Sequence, residues 1–331
     1  MKTRILSLIA SSILAIASIS CSPDDETTPA VVAPPVNTGD LVLFAIDTAK
    51  VNTMAMLGTN ETTVLNRKLN DNSYISDFDL SPDGTKFIYV ETQLSGVFPN
   101  LVRTVKLKIA NADGSNDSEL FSAQNALQGS EITSIRYCND GKIFFSYEEV
   151  TSSGSASALT NQLINPDGTG GEILTVTFGN LNDVSSSRRY GISNGVYPNV
   201  INRTTIYDNT LDNGAGALLS EDFDANDLLA PSSITKDDKY ALIPFKNGND
   251  IKVKIIDLAT KEVVTKTIVT NLSSGWVSFR LNMASDSVRG VLTITGQDYP
   301  KSKSYIFNAT TGVVSTPFEN NDTNVLDVYA F

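Results

Sequence analysis

The chain has no histidine in 331 residues, and this excludes more chemistry than any motif it carries. Without an imidazole there is no Ser/His/Asp or Cys/His nucleophile system and no His-bound zinc or iron. An enzyme built on this chain would have to run on carboxylates, Tyr, Lys or Arg. Cysteine is almost missing as well: only Cys21 and Cys138 occur. Cations are scarce, with 25 Lys and Arg against 37 Asp and Glu and a net charge of −12. Scattered acid of this kind repels nucleic-acid phosphates and anionic lipid surfaces, so no nucleic-acid partner is expected. Beyond residue 40 no stretch holds a helical period of apolar residues for a dozen positions, which argues against a helical fold.

The one long apolar run lies at the amino terminus. Lys2 and Arg4 lead into the stretch Ile5 to Ile19, and the small residues Ala17, Ser18 and Ser20 run up to Cys21. A charged start, an apolar middle and a small-residue end are the three parts of a secretory signal, and the run is short for a bilayer span. The arrangement resembles a bacterial lipoprotein signal over residues 1–20. The resemblance implies cleavage before Cys21 and lipid, palmitate included, on that cysteine; the alternative is an ordinary cleaved signal with an incidental cysteine. Losing Lys2 and Arg4 leaves 23 cations against 37 acids, a net −14. With Cys21 acylated, Cys138 has no partner, so a fold without a disulfide and a packed, inert thiol are expected. Residues 21–40 carry Pro23, Pro29, Pro34 and Pro35 and no amphipathic pattern, and read as a disordered tether. Its 19 residues after Cys21 would reach about 60 Å at full stretch and average about 25 Å as a coil.

From residue 41 to 331 the texture is short β-branched and aromatic runs separated by Gly, Asn and Asp, an all-β signature. The runs repeat. Residues 75–90 give a strand, a tight turn at Asp83-Gly84, and an apolar strand; residues 132–148 repeat this around Asp140-Gly141. Further copies follow at Asp237-Asp238 and Asp286, so that the landmark aspartates stand 57, 97 and 49 residues apart. The long interval calls for a copy near position 188, and residues 183–193 supply a degenerate one with Tyr190 in the place of Phe87. A four-strand unit of about 50 residues is the size of a propeller blade. The last unit has only a first strand, 325–331. The first ordered segment has three strands, near 41–46, 51–57 and 62–67, and lacks that one. Pairing the two ends completes a split blade and removes an exposed edge.

The stretch Leu80-Ser81-Pro82-Asp83-Gly84-Thr85-Lys86-Phe87-Ile88-Tyr89 resembles the WD40-like repeat of TolB-type six-bladed β-propellers. The resemblance implies a six-bladed propeller over 41–331, closed by the C-terminal strand, with Asp83, Gly84, Asp140 and Gly141 in structural turns. It carries no catalytic residue.

Candidate sites are few. Glu221, Asp222, Asp224, Asn226 and Asp227 crowd one loop, where oxygen ligands at alternate positions suit Ca²⁺; the competing reading is a solvated acidic loop, and no other cofactor is expected. Arg188 and Arg189 could hold a carboxylate or phosphate, or bond to neighbouring acids. Trp276 could stack on a sugar, or pack between blades. Asp47-Thr48-Ala49 and Asp286-Ser287-Val288 resemble the O-glycosylation signal of Bacteroidota, and Asp24-Asp25-Glu26 resembles the surface-export signal of lipoproteins in that group. Insertions at 91–103, 149–161 and 194–203 would decorate a rim.

Together these features predict a lipid-anchored propeller on the outer membrane, at the cell surface or on the periplasmic face. It would act without catalysis as a binding or scaffold module for an envelope protein or a glycan. The rival is a carbohydrate-active propeller working with carboxylates and Tyr or Arg.

Overall fold

The computed structural model describes residues 41–47, 50–55, 61–66, 73–96, 102–125, 131–150, 157–174, 181–196, 202–211, 216–272, 277–296, 299–315, 318–320 and 324–330. The signal, Cys21, the tether and Trp276 lie outside them.

Every element among the described residues is a strand. The chain opens with β1 (Leu41–Asp47), β2 (Lys50–Ala55) and β3 (Glu61–Asn66). Blade I follows as β4 (Ser73–Leu80), β5 (Lys86–Ser95), β6 (Val102–Asn111) and β7 (Ser118–Asn125). Blade II is β8 (Glu131–Tyr137), β9 (Ile143–Val150), β10 (Ser157–Ile164) and β11 (Glu172–Leu174). Blade III is β12 (Asp183–Val184), β13 (Tyr190–Val196), β14 (Asn202–Asp208) and β15 (Gly216–Phe223). In blade IV the first strand is split into β16 (Leu228–Leu229) and β17 (Ser233–Ile234). Both halves pair with β18 (Tyr240–Asn247), which is followed by β19 (Asp250–Asp257) and β20 (Val263–Val269). Blade V is β21 (Val277–Met283), β22 (Arg289–Gly296), β23 (Tyr299–Asn308) and β24 (Phe318–Asn320), and the chain ends on β25 (Asn324–Ala330).

The fold is an all-β propeller. Five blades are each made from one continuous stretch of antiparallel strands. For the expected split blade the backbone gives a composite sheet in the order β25-β1-β2-β3, with Leu41 opposite Ala330 and Ile46 opposite Asn324. The innermost strands touch in sequence, β4 to β8, β12, β17, β21, β25 and back to β4.

The sequence builds this by a simple device. The second strand of each blade is sandwiched between two neighbours, so it reads as an unbroken apolar run whose alternate residues face opposite ways. In β5, Phe87 and Tyr89 pack toward β3 with Phe78 and Val64, whereas Ile88 and Val90 pack toward blade II with Ile135 and Phe145. In β18, Ala241, Ile243 and Phe245 join the core with blade III, and Leu242 joins the core with blade V. The core therefore lies in the gaps between blades, and each gap depends on both walls.

The landmark turns recur in all five blades. Ser81, Cys138, Ser185, Thr235 and Ala284 each accept the N–H of the residue three positions on. That residue is left-handed every time: Gly84 (φ 68°), Gly141 (81°), Arg188 (64°), Asp238 (59°) and Ser287 (58°). The expected degenerate copy is thus present at Ser185–Tyr190, with the Ser187 hydroxyl accepting the Arg189 N–H where an aspartate does so elsewhere. Asp83 shows the aspartate's part most fully. Its Oδ1 takes the Ser81 hydroxyl at 2.6 Å and the Thr85 N–H at 3.0 Å, and these bonds hold its carboxyl below the usual range.

The described residues of the three expected insertions are extended strand, along β5–β6, β9–β10 and β13–β14, because long hairpins keep their backbone groups paired where loops would not. Their tips lie outside the described residues.

Candidate functional site

The inner strands carry a network of charges that no motif announced. Counting four residues back from each landmark position gives Asp79, Arg136, Asp183, Ser233 and Asn282, one per blade, all at the channel. The first three reach across to the backbone of the next blade. Asp79 accepts the Tyr137 N–H at 2.6 Å, Arg136 Nε donates to the Val184 carbonyl at 3.0 Å, and Asp183 accepts the Ile234 N–H at 2.8 Å.

The same groups also pair with one another. Arg136 is ion-paired to Asp183 and lies 3.7 Å from Asp79. Lys236, from the turn after β17, approaches Asp79 to 3.2 Å and donates to the Leu80 carbonyl. Asp183 takes a further bond from the Ser233 hydroxyl at 3.1 Å. Also on β4, Asp77 binds Arg280 of blade V at 2.9 Å. Burial pushes the Asp77 carboxyl above the usual carboxylate range, against the opposing pull of Arg280.

What remains open among these described residues is small. The channel cavity measures about 80 Å³, room for a handful of waters, since each needs about 10–15 Å³. Ligand clefts measure about 300–1,000 Å³. Three carboxylates and three cations line it, and each has a bonding partner in the ring.

The residues singled out in the sequence do not assemble into one site. Arg188 turns to Asp140 at 2.8 Å, whereas Arg189 binds Asp208 at 3.0 Å and lies over the Tyr190 ring, so the pair forms no joint anion clamp. Of the expected Ca²⁺ ligands, Glu221 is held by Lys254 at 2.7 Å and Asp222 by Arg203 at 2.5 Å. Asp227 accepts the Asn247 side-chain amide at 2.8 Å and the Asp224 N–H at 3.2 Å. Among the described residues, no three His, Cys, Asp or Glu side chains gather where they could hold a metal ion. Ser287 is corrected outright as a glycan acceptor: it is buried in the left-handed turn position, with its hydroxyl taking the Asp237 N–H. Thr48 lies outside the described residues. Cys138 is buried, and burial pushes its thiol up to about 11, which leaves no thiolate for chemistry at neutral pH.

The acidic loop borders a second opening that sequence reasoning missed. A cleft of about 500 Å³ lies between β15 of blade III and β18–β20 of blade IV, with Phe223 and Phe245 packed edge to face in its wall. Asp222, Asp224 and Asp227 come from one side; Asn247, Lys252, Lys254 and Thr265 come from the other. Only the register of two neighbouring sheets brings these residues together.

No protein-family model and no curated protein matches the chain. Solved structures do. A TolB from Acinetobacter baumannii superposes with a TM-score of 0.56 at 13% identity, over 89% of this chain and 67% of that one. A chain of a nidogen–laminin complex superposes with a TM-score of 0.55 at 10% identity, over 87% of this chain and 97% of that one. At such identities the likeness shows the β-propeller fold and nothing finer.

Proposed function

We propose that the chain is a non-catalytic binding or scaffold module: a propeller of six blades, hung from the outer membrane by lipid on Cys21, whose ligand is an envelope protein or a glycan. The observation that carries this reading is the filled channel. A propeller that converts a small molecule keeps unpaired acids, bases or nucleophiles at an accessible cavity. Here the described inner charges are spent on one another and on the backbone of adjacent blades, and the cavity they line measures about 80 Å³. Such a ring is a rigid frame whose recognition falls to its outer faces and inter-blade clefts. The lack of histidine points the same way. The nidogen–laminin likeness supports a protein ligand to the extent that the fold there occurs in a complex between proteins. The composite sheet β25-β1-β2-β3 fits a sixth, ring-closing blade.

Two measurements test this. Metabolic labelling with a palmitate analogue marks the wild type and not Cys21→Ala; equal labelling of both removes the anchor. Affinity capture from detergent-solubilised envelope with the full chain as bait enriches a protein or glycan that Arg136→Met, which disturbs the frame, releases. Turnover of an envelope glycan by the purified chain would instead establish the carbohydrate-active alternative.

A further inference from the structure

Two opposite charges line the cleft between blades III and IV without meeting. Arg203 holds Asp222 and Glu221 holds Lys254, while the buried Asp227, with no cation at ion-pair distance among the described residues, takes two neutral bonds, from the Asn247 side chain and the Asp224 N–H. Lys252 has a neutral partner too: its ammonium donates to the neutral Asn247 side-chain oxygen at 3.0 Å, with no carboxylate at ion-pair distance among the described residues. Asp224 is its counterpart, an exposed acid whose carboxylate receives no bond from any described residue. The two stand on opposite walls, Asp224 just after β15 and Lys252 on β19. Phe223 and Phe245, both buried, form the floor of neighbouring core, with ring centroids 5.0 Å apart.

We propose that this cleft binds a zwitterionic peptide segment, its ammonium group against Asp224 and its carboxylate against Lys252. The assignment rests on the binding-module reading and names the chemistry of one ligand. A volume of about 500 Å³ falls within the 300–1,000 Å³ or so typical of ligand clefts. Two charge-assisted bonds of opposite sense fix the ligand's direction. The same arrangement disfavours simpler ions. A pure anion gains only the Lys252 bond and a pure cation only the Asp224 bond, whereas a zwitterion makes both.

The chemistry is shared by a free peptide and by an exposed stretch of a partner protein, and two probes separate them. Lys-Ala-Glu blocked at both ends carries its charges on side chains, as an internal protein segment does. Unblocked Ala-Ala-Ala carries them only at its termini, as a free peptide does. Calorimetric titration of the full chain is expected to show saturable binding of one of them with a Kd below about 1 mM, about −4 kcal/mol. Asp224→Asn and Lys252→Met each weaken it at least about tenfold, or 1.4 kcal/mol, with unchanged melting temperatures. Asp113→Asn removes the same charge as Asp224→Asn at an exposed turn between β6 and β7, and leaves binding intact. Equal loss in Asp113→Asn overturns the site, because general charge attraction then explains the affinity. Absence of saturable binding by either probe overturns it too, and affinity capture of an envelope partner would then leave the broader binding reading standing. Binding followed by cleavage of the probe keeps the cleft and removes the non-catalytic reading.

Discussion

Asp79 on β4 accepts the backbone N–H of Tyr137 on β8 at 2.6 Å, and Asp183 on β12 repeats the contact with Ile234 on β17 at 2.8 Å. Two pairs of neighbouring blades are therefore joined by the same carboxylate-to-backbone bond. Arg136 occupies the equivalent position between them and makes the join with the opposite polarity, to the Val184 carbonyl.

Removing the central cation should be costly. Arg136→Met takes away the partner of Asp183 and one partner of Asp79, both nearly buried. Breaking a buried pair from one side costs about 3–5 kcal/mol, because the remaining charge has no compensation. Chemical denaturation should show that loss, and the double variant Arg136→Met/Asp183→Leu should recover part of it. A single variant as stable as the wild type would show that the ring does not hold the blades.

Asp77 makes a pH prediction of its own. Its pKa in the fold lies above the reference value of 3.8, so the folded chain holds its proton more tightly than the unfolded chain. The contribution of this group is complete below that reference value and is lost as pH rises through the folded value. Asp77→Asn should therefore match the wild type near pH 3 and gain on it toward pH 7. Denaturation midpoints across that range read the difference directly. A variant that falls behind as pH rises would contradict it.

Lys261 sits at φ 64° in the turn after β19, where the matching turns of other blades place Gly114, Gly168 and Gly312. A left-handed L-residue costs about 1–2 kcal/mol, and glycine returns about 0.4–1 kcal/mol as unfolded-chain entropy. Lys261→Gly should raise stability by about 0.5 kcal/mol, the difference between the two. An unchanged or lower melting temperature would refute this.

Deleting residues 325–331 should abolish cooperative unfolding, because β25 pairs with β1 along its length and touches both β4 and β21. A truncated chain with an intact transition would show that the ring survives without this strand.

The fold was legible wherever backbone geometry demands a particular residue. A left-handed turn position favours glycine, and a strand walled on both sides must be apolar throughout, so Asp83-Gly84 and Phe87 to Val90 could be recognised directly. The channel network was not, although it obeys the same period. Its position holds Asp, Arg, Asp, Ser and Asn in turn, because either a donor or an acceptor can reach the next blade's backbone. The cleft was legible in half. The acids of 221–227 stood out as neighbours in sequence and suggested a metal, but Lys254, which answers Glu221, lies on β19 and arrives only through sheet packing. Ser287 shows the opposite failure: a short motif matched at a residue whose hydroxyl is already used inside a turn.

The joins between blades land on main-chain atoms of Tyr137, Val184 and Ile234. Main-chain atoms do not change when a residue is replaced. The receiving blade can therefore drift in sequence without loosening its neighbour, and only the blade that supplies the side chain is under constraint. A ring assembled this way ages unevenly, its repeats losing their likeness one at a time while the circle stays closed.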